Sequence, residues 1–182
     1  MIFVADAEEA DIPGIVELWK ECADFHGARD PHFARSEDGH VHFEKHLREL
    51  MKSEDAHVLV AFDQGRPVAF IAAQVAKRPP VFRETAYGLI TDLAVTKECR
   101  RQGIGQDIMV EVLYWFARRG IRRVEVNVAD TNEVARAFWA TESFKDYMHR
   151  MFLDTSYIEL DDEEDFGEDD PGESNEAQRP ET

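Results

Sequence analysis

Apolar positions recur along this chain with two different periods, and the switches between them mark its elements. From Asp11 to Phe25 the side chains Ile12, Ile15, Val16, Leu18 and Trp19 fall at helical spacing, with Pro13 near the start, where its missing N–H does no harm. A second helix is expected from His42 to Met51, striped by Phe43, Leu47, Leu50 and Met51. Ile2 to Ala5 reads as a short strand. His57 to Phe62 and Pro67 to Ala73 read as a hairpin closed by Asp63-Gln64-Gly65-Arg66, whose glycine suits a tight reversal. The run Tyr87 to Val95 is mostly apolar, the mark of a buried central strand. A long helix follows from Ile104 to about Arg118, with Ile104, Ile108, Val112, Leu113 and Phe116 on one face and Gly120 ending it. Arg123 to Val128 is another strand, Asn132 to about Ala140 a short helix, and Phe144 to Leu153 has room for one or two closing strands. Helix and strand signals alternate without an internal repeat, so the fold class is α/β or α+β.

Composition narrows this further. A chain of 182 residues, 43% of them hydrophobic, is enough for one domain that folds without disulfides or metals. Cys22 and Cys99 read as reduced thiols of a cytoplasmic protein. No apolar stretch approaches the roughly 18 residues of a membrane-spanning helix, and the N-terminus meets Asp6 before any base, so neither a membrane partner nor a signal peptide is expected. The net charge of −17 is unevenly spread: Glu159 to Thr182 holds twelve acidic residues against Arg179, or −11, leaving −6 for the rest. Four Gly and Pro residues and only Leu160, Phe166 and Ala177 as apolar side chains mark residues 159–182 as a disordered acidic tail on a domain of residues 1–158. The acid excess disfavours a nucleic-acid partner, which needs a basic surface.

Candidate chemistry sits between the central strand and the long helix, in Arg100-Arg101-Gln102-Gly103-Ile104-Gly105. Two glycines let a ligand approach the backbone, and the first N–H groups of a helix lack intrahelical partners, so several donors converge there on an anion. Arg100 and Arg101 add positive charge. The G-K-[ST] ending of a Walker loop and the third glycine of the dinucleotide fingerprint are both missing. The plainer role of the glycines, a tight strand-to-helix turn, stays open.

These residues resemble the GNAT superfamily of N-acetyltransferases, whose acetyl-CoA loop reads [QR]-x-x-G-x-[GA] after a central strand. Arg100, Gly103 and Gly105 match it in order, and Ile90 to Val95 is similar to the strand that leads into it. Downstream, Asn132-x-x-Ala135-x-x-Phe138-Trp139-x-x-x-Ser143-Phe144 resembles the family's N-x-x-A-x-x-[FL]-Y-x-x-x-G-F. The resemblance covers Ile2 to about Leu153. It implies a mixed, mostly antiparallel central sheet flanked by helices, with a V-shaped splay that admits acetyl-CoA as cosubstrate. It implies that backbone N–H groups of Gln102, Gly103, Ile104, Gly105 and Gln106 cradle the pyrophosphate, with Arg100 and Arg101 beside them. The backbone of Leu93, Ala94 and Val95 would pair with the pantetheine arm, the Leu93 N–H polarising the thioester carbonyl. Asn132 would hydrogen-bond the arm, and Ala135 and Phe138 would pack against it.

The implied reaction is direct attack of a primary amine, small-molecule or peptide, on the thioester. The family often places a tyrosine near the sulfur as acid; here that position is Trp139, whose indole can donate a hydrogen bond but deliver no proton, and which reads equally well as a core aromatic. Tyr147, on an expected closing strand, is the candidate acid in its place. Asp92 is the one carboxylate on the central strand and the candidate base; simple alternation points it to the face opposite Thr91 unless a bulge intervenes. A competing reading is a CoA-binding regulatory or partner-binding module with degenerate chemistry. The first third also gathers Cys22, His26, His32, His40, His42 and His46. His42 and His46 stand one helical turn apart, a metal-ligand spacing, but no H-E-x-x-H or paired-cysteine motif accompanies them and no metal is expected. Position alone makes His26, Asp30, Phe33 and the Arg78-to-Phe82 loop the acceptor-side wall. The charge of −6 favours a cationic acceptor, and dimers are common among members of the family, so a homodimer is a further expectation.

Overall fold

A computed structural model describes residues 2–156 and divides the chain into two units, Met1–Lys145 and Asp146–Thr182. The acidic stretch expected as a tail lies outside the described residues. In the first unit, strands β1 (Ile2–Asp6), β2 (Ala56–Asp63), β3 (Arg66–Lys77), β4 (Ala86–Val95) and β5 (Val124–Val126) form one sheet in the order β1-β2-β3-β4-β5. The first four pair antiparallel; β5 pairs with β4 in parallel, after a crossover through helix α3 (Ile104–Arg118). This is the mixed, mostly antiparallel sheet that the resemblance implies.

Helices cover both faces. Helix α1 (Ile12–Gly27) and helix α2 (Gly39–Lys52) bring Ile12, Ile15, Val16, Phe43, Leu47 and Leu50 onto Val58, Val60, Phe70, Ala72 and Ala94. On the other face α3 and helix α4 (Glu133–Thr141) pack Ile104, Ile108, Val112, Phe116 and Trp139 against Leu59, Ala61, Ala69, Ile71 and Ile90. Alternation along β3 decides which side chain goes where, with Ala69, Ile71 and Ala73 on the α3 face and Phe70 and Ala72 on the α1/α2 face.

Two departures from plain alternation matter below. In β4, Ala73 pairs with Ile90 and Ala72 with Asp92, so Thr91 is an extra residue, a β-bulge fixed by its hydroxyl donating to the Ala72 carbonyl at 3.2 Å. The β4–β5 ladder covers Gly88 to Ile90 on β4 and stops at Val126 on β5, while β4 runs on to Val95.

The expected closing strands are corrected. No strand follows Val126 among the described residues, and Tyr147, Met148, Met151, Phe152 and Leu153 are all at least 65% exposed. A strand needs a bonded neighbour and at least one covered face. Here side chains of both parities stand in solvent, so the period-2 pattern encodes no ladder. Tyr147 consequently lies on no strand.

Candidate active site

The cofactor loop is shaped by backbone at two unusual conformations. Arg101 adopts φ of 62° and Gly103, the residue that opens α3, φ of 85°. For Arg101 the left-handed region costs about 1 kcal/mol, and such strain persists only where neighbours enforce it. Gly105 lies beside α4 and β4: a Cβ there would stand 3.4 Å from the Phe138 ring and 3.7 Å from Val95 Cγ2, ordinary contact distances. Helix α4 thus lays Phe138 against the first turn of α3. Of the expected amide donors, Gln106 already donates to the Gly103 carbonyl at 2.9 Å, as does Asp107 at 3.0 Å. Of the five donors expected in the cradle, those of Gln102, Gly103, Ile104 and Gly105 remain. Arg101 and Gln102 are exposed beside it, and Gln102 donates to the Glu98 carbonyl at 3.2 Å.

Arg100 is occupied differently from the expectation of a ligand-facing cation. Its Nε donates to the Val95 carbonyl at 2.9 Å and its terminal nitrogen to Glu21 Oε1 at 2.8 Å. The same Glu21 carboxylate accepts from the Lys97 N–H at 3.0 Å, while the Thr96 hydroxyl, 3.1 Å from it, makes its shorter bond to Glu98 at 2.6 Å, so one acid on α1 holds the β4–α3 connection through Lys97 and Arg100. Sequence reasoning missed Glu21 and Thr96. The available signal was an acid three residues after Leu18, on the rim of the apolar stripe of α1.

Strand β4 supplies the second part. The Thr96 N–H donates to the Val68 carbonyl of β3 at 2.8 Å, and direction alternates residue by residue, so the N–H groups of Leu93 and Val95 point away from β3. On that side β5 has already ended. Among the described residues no strand therefore pairs with the Leu93 and Val95 N–H groups, while the Val95 carbonyl is taken by Arg100; Ala94 itself is buried on the α1/α2 face.

Asn132 and Trp139 frame the site from α4. Asn132 is 6% exposed and its Oδ1 accepts from the Ala135 N–H at 3.0 Å, which makes it the cap of that helix. Trp139, also 6% exposed, closes the other end: Phe144 N–H donates to its carbonyl at 3.0 Å, Ser143 N–H to that of Ala140 at 3.1 Å, and Ser143 takes φ of 68°. This is a Schellman ending, whose hydrophobic contact is the edge-on packing of Trp139 and Phe144 at 4.9 Å. It explains why the family motif carries glycine where Ser143 stands.

The α1/α2 face holds the titratable groups. Because Thr91 is bulged, Asp92 lines up with Ala72 and Ala94 and turns to this face, redirected from where simple alternation would send it. Burial raises its pKa; the Thr91 hydroxyl and the charge of His46 act the other way. Burial, then the Asp92 carboxyl, push the Cys22 thiol up from 9.0 to about 11. His26, its pKa lowered by burial, sits edge-on to Phe25 and Phe33 at 5.8 and 6.3 Å, and Asp30 caps the turn at His32 with a 3.0 Å bond. Arg78 crosses the Tyr87 ring at 4.1 Å to reach Glu125, which Arg123 also contacts at 2.6 Å; Val81 and Phe82 in the following loop are exposed. Tyr147 belongs to the unit that begins at Asp146 and is 65% exposed. His42 bonds Asp38 at 3.0 Å, and among the described residues no three His, Cys, Asp or Glu side chains gather in a metal-binding arrangement. No helix among them is long and apolar enough to cross a membrane.

The acetyltransferase (GNAT) family model matches residues 13–144. An uncharacterized N-acetyltransferase of Archaeoglobus fulgidus is 27% identical over 139 residues, which are 76% of this chain and 90% of that protein. Among solved structures, a tetramutant of the BH1408 protein from Bacillus halodurans superposes with a TM-score of 0.77 at 21% identity, covering 84% of this chain and 99% of that one. The aminoglycoside N-acetyltransferase AAC(6')-Iy in complex with CoA does so with a TM-score of 0.67 at 13% identity, covering 85% and 94%. The fold, the loop and the family match agree: the chain belongs to the GNAT family and is an acetyl-CoA-dependent acyltransferase.

Proposed function

We propose that this protein transfers the acetyl group of acetyl-CoA to the primary amine of a small-molecule or peptide acceptor by direct attack. The observation that carries this reading is the end of β5 pairing at Ile90, which leaves the Leu93 and Val95 amides open beside the N-terminus of α3. In it the N–H groups of Gln102 to Gly105 hold the pyrophosphate, with Arg101 as the nearby cation. The pantetheine lies along Leu93 to Val95 as an added strand, flanked by Asn132, Ala135 and Phe138. Arg100 and Trp139 hold the loop and α4 in place.

The acceptor enters on the α1/α2 face. Asp92 takes a proton from the ammonium, and the amine nitrogen bonds to the acetyl carbon as its carbonyl draws on the Leu93 N–H. The C–S bond then breaks as the second proton of the nitrogen passes through water to the departing CoA thiolate, giving the amide and the free thiol. Tyr147 has no part in this scheme. AAC(6')-Iy is named for an aminoglycoside acceptor; the charge of −6 outside residues 159–182 likewise supports a cationic amine here.

Calorimetry with CoA and acetyl-CoA, followed by thiol release across a panel of amines, tests the reading. Binding of both ligands, turnover with at least one amine, and a loss of about 100-fold or more in kcat/KM for Asp92→Asn are expected. No heat with either ligand from folded protein would overturn the reading, and tight binding without turnover on any amine would favour the regulatory module.

A further inference from the structure

We propose that the outer edge of β1, with the groove between it and α3, docks an extended basic segment of another protein. Strand β1 ends the sheet, with β2 on one side and no strand on the other among the described residues. The Ala7 N–H donates to the Val58 carbonyl at 3.0 Å, and direction alternates along the strand. Phe3 and Ala5 therefore bond toward β2, while the N–H and C=O groups of Ile2, Val4 and Asp6 face outward. Unpaired main chain of this kind is a template for one more strand. Beside it lies a groove of about 680 Å³, walled by Ile2, Val4 and Asp6 on β1 and by Asp107, Val110 and Glu111 on α3. In the sheet order β1 stands three strand spacings from β4, about 14 Å, so an occupant here leaves the proposed acetyl-CoA edge open.

The charge in the groove selects the partner. Asp6, Asp107 and Glu111 line it against one base, Arg118. Asp6 stands 3.5 Å from His57, whose imidazole burial pushes toward its neutral form, and among the described residues no ion pair engages Asp107 or Glu111. A strand added to β1 sets alternate side chains on the groove face, opposite Ile2, Val4 and Asp6, where an arginine or lysine reaches these carboxylates past Val110. The intervening side chains fall on the far face beside Phe3, which is 53% exposed and stacked on Phe62 at 4.9 Å, and apolar ones cover that ring. Two other occupants carry the wrong sign. A second copy paired about a two-fold axis would set its own Asp6, Asp107 and Glu111 against these, and residues 159–182 carry −11. The occupant is a segment that alternates basic and apolar residues.

The probe is fluorescein-capped Arg-Val-Arg-Val-Arg-Val-Arg-amide, which has the required alternation and no primary amine to enter the acceptor cleft; its counterpart carries Glu in place of Arg. Anisotropy with the full chain gives the affinities, and amide NMR shifts give the location. The Arg peptide should shift the Ile2, Val4 and Asp6 amides and bind at least about tenfold tighter than the Glu peptide. Glu111→Lys, a charge reversal at an exposed helical position, should weaken it by about tenfold with the melting temperature unchanged. Val4→Pro removes one outward N–H at an edge position where proline leaves the β1–β2 bonds intact, and should weaken it likewise while CoA binding holds. No binding, equal affinity for the two peptides, shifts that map away from β1, or affinity that survives both substitutions overturns the proposal. A dimer of this chain that Val4→Pro splits into monomers overturns it too, since the edge then belongs to a second copy.

Discussion

The two sides of this cleft are built from different materials. On the proposed cofactor side the ligand-facing groups are main chain: the amides that open α3 and the Leu93 and Val95 N–H groups, beyond the end of β5 pairing. Side chains there serve the scaffold, with Arg100 on the Val95 carbonyl, Asn132 capping α4 and Trp139 sealing its end against Phe144. On the α1/α2 face the order reverses, and Asp92, Cys22 and His26 present titratable side chains that burial shifts toward their neutral forms. Phosphates and amides can be held by any sequence that makes the right turn and the right opening. An amine that must lose a proton needs particular side chains.

The largest effect that could break this contrast is expected at Gly105. In Gly105→Asp a carboxylate stands in the first turn of α3, where it complements the helix dipole but repels a pyrophosphate. Phe138, 3.4 Å from the new Cβ, has only to give way slightly. CoA affinity should fall by at least about 100-fold, or about 2.7 kcal/mol, while the melting temperature stays within a few degrees of wild type. Calorimetry and thermal melts read the two separately. Undiminished CoA binding would move the phosphate site elsewhere.

That contrast also explains what could be read in advance. The loop was legible because glycine spacing reports directly on backbone: Gly103 at φ of 85° is a need that glycine meets best. Helices α1 to α4 and the hairpin were legible because their apolar periods were long. The face of Asp92 was not, since a one-residue bulge inverts every later side chain and leaves no trace in the pattern. Arg100 looked like a ligand cation because charge beside a glycine loop says nothing of a partner 79 residues away, Glu21. Residues 144–153 carried strand-forming side chains, yet no strand follows Val126 among the described residues.

A smaller effect sharpens the acceptor side. The folded chain holds the Cys22 proton more tightly than an unfolded thiol, about 11 against 9.0. Its contribution to stability is therefore complete below pH 9 and is lost as pH climbs toward 11. At pH 10.5 that loss should reach about 2 kcal/mol at most. Denaturant melts at pH 8 and 10.5 check it: wild type should lose more stability over that interval than Cys22→Ala. Equal losses in the two proteins would mean that the thiol does not feel the Asp92 environment.

The smallest of the expected effects asks whether the two sides are independent at all. Glu21 belongs to α1, on the acceptor face, yet its carboxylate accepts from Lys97 and Arg100 of the β4–α3 connection with bonds of 3.0 and 2.8 Å. It is part-exposed, at 36%, so solvent discounts each bond. Two partners on one group nevertheless fix a connection that Arg101 enters in a strained conformation. Glu21→Ala should cost about 1 kcal/mol of stability and raise the KM for acetyl-CoA by about fivefold to tenfold, with a smaller change in kcat. Glu21→Gln, which keeps an acceptor but loses the charge facing Arg100, should fall between. If KM is unmoved in both variants, the loop keeps its shape through Gly103 and the Val95 carbonyl alone, and the cofactor side stands apart from the acceptor side. If kcat falls while KM holds, α1 communicates with Asp92 through Cys22 instead of through the loop.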